Sequence, residues 1–272
     1  MQAMVAMVSG NGLGRAHASL NTPTAASMIA QFEITTRCNF DCFYCAGRLM
    51  RQGDMPYETF TALLERHVAA HGIPQIVSLQ GEGEPTLHHD FFKMAEFARD
   101  MGSSPYTITN GTHKHPERFV GLFPRLGISV DTLDEAVARK IGRYNLPRVI
   151  SFIEALASHL TVVVHSVGHP IHTPPIVSWC RQNGYAHVIQ PLQMKADYAL
   201  RYLPGRTEPV SRRPFSCVYL EHPRMRYYSL DGTEFPCPYI KDATVYDGMS
   251  NLLHHQQSGT RPKCCTGCRH GG

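Results

Sequence analysis

The sequence predicts an α/β fold, a partial (β/α)6 barrel with a small C-terminal β-hairpin module, and three observations carry that expectation. Six short β-like runs alternate with helical patterns, glycine and proline stand where helices should start and stop, and the alternation breaks after about Leu203. The strand candidates are Met28–Thr36, Gln75–Gln80, Tyr106–Thr109, Gly127–Val130, Thr161–His165 and His187–Leu192. Between them, apolar residues recur at helical spacing: Phe60, Leu63, Leu64 and Val68; Met94, Phe97, Ala98 and Met101; Val149, Ile153, Leu156, Ala157 and Leu160. Pro56 suits a helix first turn, and Gly72, Gly102 and Gly184 fall where helix C-termini are expected. Regular β-α alternation implies a parallel sheet with helical crossovers, and in such sheets the chemistry gathers at the carboxyl ends of the strands.

Three segments follow. Residues 1–27, rich in Gly, Ala, Ser and Thr, read as a flexible tail; 28–203 form the barrel; 204–272 form the appended module. In the last, Arg224–Leu230 and Thr233–Phe235 around Asp231-Gly232 predict a hairpin, and no long helix is expected. Apolar residues at 43% and charged residues at 18% mark an ordinary globular chain. A net charge of +4 is too weak and dispersed for a nucleic-acid surface. No apolar run reaches the ~18–20 residues that cross a bilayer, and the opening Met4–Val8 makes a poor secretory signal, so a cytoplasmic protein is expected.

Nine cysteines in a reducing compartment point to metal rather than disulfides, and they cluster: Cys38, Cys42 and Cys45, then five between Cys217 and Cys268, with Cys180 alone. The first group, Cys-x3-Cys-x2-Cys, follows the first strand directly. Three thiolates on so tight a loop converge on one face of a metal cluster. Iron–sulfur clusters normally take four cysteines, so three leave one iron open, which is the mark of a reactive site. A partial zinc site is the bland alternative, but structural zinc prefers four ligands.

These residues resemble the signature of the radical SAM superfamily. The resemblance implies that Cys38, Cys42 and Cys45 hold a 4Fe–4S cluster, that S-adenosylmethionine (SAM) chelates the fourth iron, and that an electron cleaves SAM to methionine and a 5′-deoxyadenosyl radical. Gly81-Glu82-Gly83-Glu84-Pro85, past the second strand, resembles the family's Gly-Gly-Glu-Pro segment with Glu82 interposed. Gly81, Gly83 and Pro85 would bring backbone carbonyls to the SAM ammonium, and Glu84 would offer a carboxylate. Asn110 after the third strand, with Ser129 and Asp131 at the end of the fourth, match segments that meet SAM's carboxylate and ribose. Tyr44 sits where the family places an aromatic beside adenine. For Ser129 and Asp131 the bland alternative is capping of a helix that begins near Asp134. The resemblance spans roughly 28–195.

Cys217, fourteen residues, Gly232-x4-Cys237, and Cys265-x2-Cys268 resemble the twitch domain, the shortened SPASM extension of such enzymes. That resemblance implies a second, auxiliary 4Fe–4S cluster on Cys217, Cys237, Cys265 and Cys268; a four-thiolate zinc knuckle is the alternative. Cys264 either replaces Cys265, stays a free thiol, or serves as a hydrogen donor.

A fully ligated auxiliary cluster suits one-electron oxidation of a substrate radical. The expectation is therefore hydrogen abstraction from a small hydroxylated or amino-bearing metabolite, followed by its dehydrogenation. Epimerisation with Cys264 as hydrogen donor ranks second and peptide modification third; a non-catalytic iron–sulfur redox sensor is the reading from another class. Only 37 residues precede Cys38, too few for a folded leader-peptide-binding domain, which favours a small substrate. The partners implied are that substrate and a low-potential electron donor such as flavodoxin or ferredoxin, with no nucleic acid and no membrane. Arg201, Arg206, Arg212, Arg213, Arg224 and Arg226 would suit an anionic substrate, though a solvated basic face is commoner. His88-His89 and His254-His255 diverge as adjacent residues do and make poor metal sites.

Overall fold

Strand positions follow the β-α alternation closely. The computed structural model describes residues 28–45, 51–190, 214–240, 245–265 and 268, so the expected tail lies outside the described residues. Its strands are β1 (Ile29–Phe32), β2 (Ile76–Leu79), β3 (Ser104–Tyr106), β4 (Ile108–Thr109), β5 (Arg125–Ser129), β6 (Thr161–Val167), β7 (Ala186–Gln190), β8 (Met225–Tyr228) and β9 (Glu234–Phe235). Its helices are α1 (Tyr57–His71), α2 (Phe91–Asp100), α3 (Glu135–Ile141), α4 (Leu146–Ala157), α5 (Thr173–Asn183), α6 (Val218–Glu221) and α7 (Met249–Ser258). One sheet runs β3-β2-β1-β8-β9 and the other β4-β5-β6-β7; every pairing is parallel except β8 with β9. The architecture is the α/β partial barrel that the alternation predicts.

The expected third strand is broken at Thr107. The Thr107 hydroxyl donates to the Leu79 carbonyl at 2.6 Å, and its own carbonyl accepts from Gly127 N–H. The chain thus turns from pairing with β2 to pairing with β5, and the sheet bends there. The first strand ends early, at Phe32, because Ile34 and Thr35 pair instead with the returning segment at Asp54–Met55.

Alternation along each strand decides what faces where. Ala30, Phe32, Val77, Leu79, Leu126, Ile128, Val162 and Val164 point outward into one core shared with the helices. Helix α1 contributes Phe60, Leu63 and Leu64; α2 gives Met94, Ala95 and Ala98; α4 gives Val149, Ile153 and Leu156. Pro56 caps α1, Gly72 ends it, and Gly184 ends α5 in the left-handed conformation that glycine adopts without strain. Cys180 lies on α5 and is buried in this core, where it acts as a small apolar residue.

The hairpin forms as expected, but β8 also pairs in parallel with β1, so it extends the barrel sheet. Tyr228 stacks on Phe32 and accepts or donates a 2.8 Å hydrogen bond with His67 Nδ1 of α1. A ten-residue helix, α7, also appears in the C-terminal segment; only its Leu252 is buried, too weak a periodic signal to read in the sequence. No helix among the described residues is long and apolar enough to cross a membrane.

Burial, then the charges of His71 and Arg226, push His67 down to about 4, and its Nε2 has no partner. A folded-state value below the free one of about 6.5 means that this stabilisation is whole above pH 6.5 and is lost as pH falls toward about 4. The urea midpoint should therefore drop between pH 7.5 and pH 5, and the drop should shrink in His67→Phe. Equal pH dependence in the two proteins would show that His67 titrates freely.

Candidate active site

The three cysteines leave β1 on a loop without strand or helix of its own, so its shape comes from what it touches. Cys38 is exposed, Cys42 buried and Cys45 half-buried. Phe40 N–H donates to Cys38 Sγ at 3.4 Å, and Cys45 N–H donates to the Cys42 carbonyl at 3.0 Å. Cys42 Sγ lies 3.8 Å from the Gly142 carbonyl, and Cys45 Sγ lies 3.8 Å from the Glu82 carbonyl. The loop thus bridges the segment after β2 and the turn after α3.

Gly81 and Gly83 are needed for close packing. A Cβ on Gly81 would sit 2.4 Å from Glu33 Cγ, and one on Gly83 would sit 2.5 Å from the Thr35 carbonyl. Glu84 N–H donates to the Arg37 carbonyl at 2.7 Å, so the glycine segment lies directly against the residue before Cys38. The Glu84 carboxylate is buried and accepts four hydrogen bonds. Oε1 takes Thr86 N–H, the Thr86 hydroxyl and the Thr109 hydroxyl; Oε2 takes Asn110 N–H at 2.6 Å. Burial raises its pKa and these donors oppose the rise. Glu84 therefore ties the end of β2 to the end of β4, with room at Oε2 for one more donor. Pro85 opens the 3₁₀ turn Pro85–Leu87 that Glu84 caps. The Asn110 amide donates to Asn39 Oδ1 of the cysteine loop at 2.7 Å, which links a third strand end.

Asp131 plays the same part beyond β5. Its Oδ1 accepts Val167 N–H at 2.7 Å, while Oδ2 takes the Tyr44 hydroxyl and pairs with Arg143 Nε at 2.7 Å. Arg143 also reaches the Ser129 carbonyl at 3.2 Å. Helix capping falls to Asp134, whose side chain accepts Val137 N–H, which frees Asp131 for this network. Arg143 was not legible as a site residue, because it follows an ordinary helix and matches no quoted motif. The turn before it also grips the loop: Asp41 N–H donates to the Gly142 carbonyl and Phe43 N–H to that of Ile141. Gly142 has φ 91°, and a Cβ there would meet the Asp41 carbonyl at 2.5 Å. Cys42, Tyr44, Glu82, Glu84, Asn110, Ser129 and Asp131 are thereby gathered at one end of the barrel.

Residues 32–175, more than half the chain, match the family model of the Radical SAM superfamily. The chain belongs to that superfamily. An S-adenosylmethionine-dependent nucleotide dehydratase of Selenomonas ruminantium is 29% identical over 143 residues, 51% of this chain and 51% of that one. The chain spans between 39% and 51% of the length of the first curated relatives it matches. Among solved structures, Streptococcus suis SuiB bound to S-adenosylmethionine superposes with a TM-score of 0.60 at 14% identity, over 90% of this chain and 68% of that one. BtrN in complex with AdoMet and 2-DOIA gives 0.52 at 14%, over 89% and 85%. At such identity these two establish the fold.

Superfamily membership carries SAM and a 4Fe–4S cluster, and the donor set fits the cluster. Burial raises the Cys42 thiol above its ordinary value, so a thiolate there calls for a bound cation. The Asp54–His88–His89 group does not suit a metal: His88 Nε2 lies 2.8 Å from the Met55 carbonyl and its Nδ1 takes Asp90 N–H, while Asp54 is paired with Arg37.

Five further cysteines meet in a second apolar nest with Phe215, Tyr227, Phe235 and Leu252: Cys217, Cys237, Cys264, Cys265 and Cys268. Cys217 stands at the start of α6, Cys237 follows β9, and Cys264 and Cys265 share the 3₁₀ turn Lys263–Cys265. Cys264 and Cys265 Sγ lie 3.9 Å apart, and the neighbouring thiol, then burial, push Cys265 upward. Arg201, Arg206, Arg212 and Arg213 lie outside the described residues, while Arg226 pairs with Glu234.

The Asp131–Arg143 pair is buried enough to be tested by double substitution. Arg143→Met alone strands a buried carboxylate and should cost about 3–5 kcal/mol. Adding Asp131→Asn should recover much of that loss in urea denaturation. Additive losses would mean that the two side chains do not share an ion pair.

Proposed function

We propose that the chain reductively cleaves SAM and uses the resulting radical to oxidise a small metabolite, with a second iron–sulfur cluster on the C-terminal thiols. The carrying observation is the cysteine loop: its thiols border the Gly81–Pro85 segment, with no fourth cysteine joining them among the described residues. When bound, the cluster supplies the electron that breaks SAM's C–S bond. Cys38, Cys42 and Cys45 would hold it. The Glu82 and Gly83 backbone, with Glu84 Oε2, would meet the SAM ammonium, Asn110 and Ser129 its carboxylate and ribose, and Tyr44 the adenine edge. The Asp131–Arg143 pair holds Tyr44 and the end of β5 in place around that ligand.

Cys217, Cys237, Cys265 and Cys268 would hold the auxiliary cluster, and their common nest with Cys264 supports that assignment. Tyr227 lies in the same nest and belongs to β8, a barrel strand, so the thiols border the barrel rather than stand apart from it. That placement suits passage of an electron from a substrate radical. The relatives named above act on or are bound to unlike molecules, so the substrate is read from the site rather than from them; a small hydroxylated or amino-bearing metabolite is the reading kept here. A flavodoxin or ferredoxin would serve as electron donor, and a cytoplasmic setting is the reading kept for the chain. Epimerisation with Cys264 as hydrogen donor is the second reading, supported by its burial beside the other thiols.

Anaerobically reconstituted protein should bind about eight irons per chain and release 5′-deoxyadenosine from SAM under dithionite. Alanine at Cys38, Cys42 or Cys45 should cut that release at least 100-fold. About four irons would remove the auxiliary cluster, and no 5′-deoxyadenosine would remove the activity.

Turnover in deuterated water separates the two fates of the substrate radical. Oxidation should leave no solvent deuterium on the product carbon, whereas epimerisation should place one there. Incorporation that disappears in Cys264→Ala would establish the second reading.

A further inference from the structure

The inward face of the barrel is more polar than a packed interior requires. Closed barrels fill this space with Val, Ile and Leu. Here the positions that alternate with the apolar core carry Gln31 on β1, Ser78 and then Gln80 on and after β2, Tyr106 on β3, His165 on β6 and Gln190 on β7. Register confirms a shared face: Gln31 stands opposite Ser78, and Ser78 opposite Tyr106.

Part of this wall is held rigid. Tyr106 Oη lies 2.9 Å from His165 Nε2, and Gln190 Nε2 lies 3.4 Å from His165 Nδ1. The first contact spans β5 and depends on a glycine in mid-strand. A Cβ on Gly127 would come within 2.7 Å of the Tyr106 hydroxyl and 3.0 Å of His165 Cδ2. Glycine weakens a strand, and its use here marks a close approach of side chains over the backbone.

The rest of the wall is only partly satisfied, with Gln31 Nε2 donating to the Gln80 carbonyl at 3.1 Å. Ser78 is fully buried and its hydroxyl has no partner. The Gln80 side-chain amide makes no hydrogen bond among the described residues, and Gln80 keeps 9% of its surface exposed. Buried polar groups normally find partners, so an unpaired buried hydroxyl with a free amide beside it on one inward face points to a ligand that supplies them. Burial holds His165 down to about 3, which leaves a neutral imidazole at pH 7. Charge narrows the ligand further. The inward positions of the described strands bear one cation, Arg125 at the foot of β5, and none in the upper layers where a phosphate would need one.

We infer that this wall is the substrate-recognition surface, that it takes a small hydroxylated molecule by its uncharged part, and that His165, fixed by Tyr106 and Gln190, is its specificity-determining residue. Ser78 and Gln80 supply the free hydroxyl and amide. The inference rests on the proposed SAM cleavage, which supplies the radical that reports on what sits in the barrel.

The test uses the reconstituted full chain with SAM and dithionite, offering glycerol, glucose and myo-inositol deuterated at carbon, and separately GTP deuterated on the ribose. At least one polyol should pass deuterium into 5′-deoxyadenosine. His165→Gln and Tyr106→Phe should each lower the labelled fraction of 5′-deoxyadenosine at least tenfold, while Glu96→Gln, on the exposed face of α2, should leave it unchanged. Tyr106→Phe keeps the ring and its packing, so a purely structural role would not move the labelled fraction. Label from GTP alone, or unlabelled 5′-deoxyadenosine with every polyol, overturns the inference. Absence of any 5′-deoxyadenosine overturns the SAM reading, and the inference with it.

Discussion

The active end of this barrel depends on two buried carboxylates, Glu84 and Asp131, which join strand ends that the sheet alone leaves apart. Glu84 collects donors from Thr86, Thr109 and Asn110; Asp131 collects Val167 N–H, the Tyr44 hydroxyl and Arg143. A buried carboxylate is costly unless nearly every lone pair is met. Meeting it requires the ends of β2, β4, β5 and β6 to sit in fixed relation. The cysteine loop inherits that geometry because it is tied to both carboxylates, through Asn39 and Arg37 on one side and Tyr44 on the other.

The two anchors differ in physical character. Glu84 is satisfied by neutral donors, so its burial is offset by hydrogen bonds alone. Asp131 has a cation: Arg143 Nε lies against both Asp131 Oδ2 and the Tyr44 hydroxyl, and its Nη1 donates to the Ser129 carbonyl. The ion pair fixes Tyr44 and the chain beyond β5 in one arrangement, and one oxygen of each carboxylate, Glu84 Oε2 and Asp131 Oδ1, holds a single donor. The Asp131 carboxylate serves mainly by positioning Tyr44.

Much of this was legible in residues that carry their own signal. The strands were visible because apolar residues alternate in short runs bounded by glycine, and the cysteine loop because Cys38, Cys42 and Cys45 have a spacing with few other uses. The Gly81–Pro85 segment gained weight from standing just past β2. Other features escaped for stated physical reasons. Arg143 and Gly142 lie after a plain amphipathic helix, and their contact with the loop spans about a hundred residues of sequence, which local pattern does not encode. The break at Thr107 depends on a hydroxyl replacing a backbone donor, and threonine is equally at home inside a strand. The parallel pairing of β8 with β1 is long-range in the same way, and a hairpin signal says nothing of what lies beside it.

That pairing bears on how the two thiol groups relate. Because β8 aligns Tyr228 with Phe32 and Tyr227 with Gln31, successive tyrosines face opposite sides of one sheet. Tyr228 enters the main core against α1, while Tyr227 joins the nest that contains the five C-terminal cysteines. A single strand thus belongs to both hydrophobic clusters. Displacing β8 would expose Tyr227 and Tyr228 together and remove the partner of His67 at once. The second nest is held to the barrel by the same burial that closes the first core along β1, so its distance from the barrel interior is set by side-chain packing and not by the connecting chain.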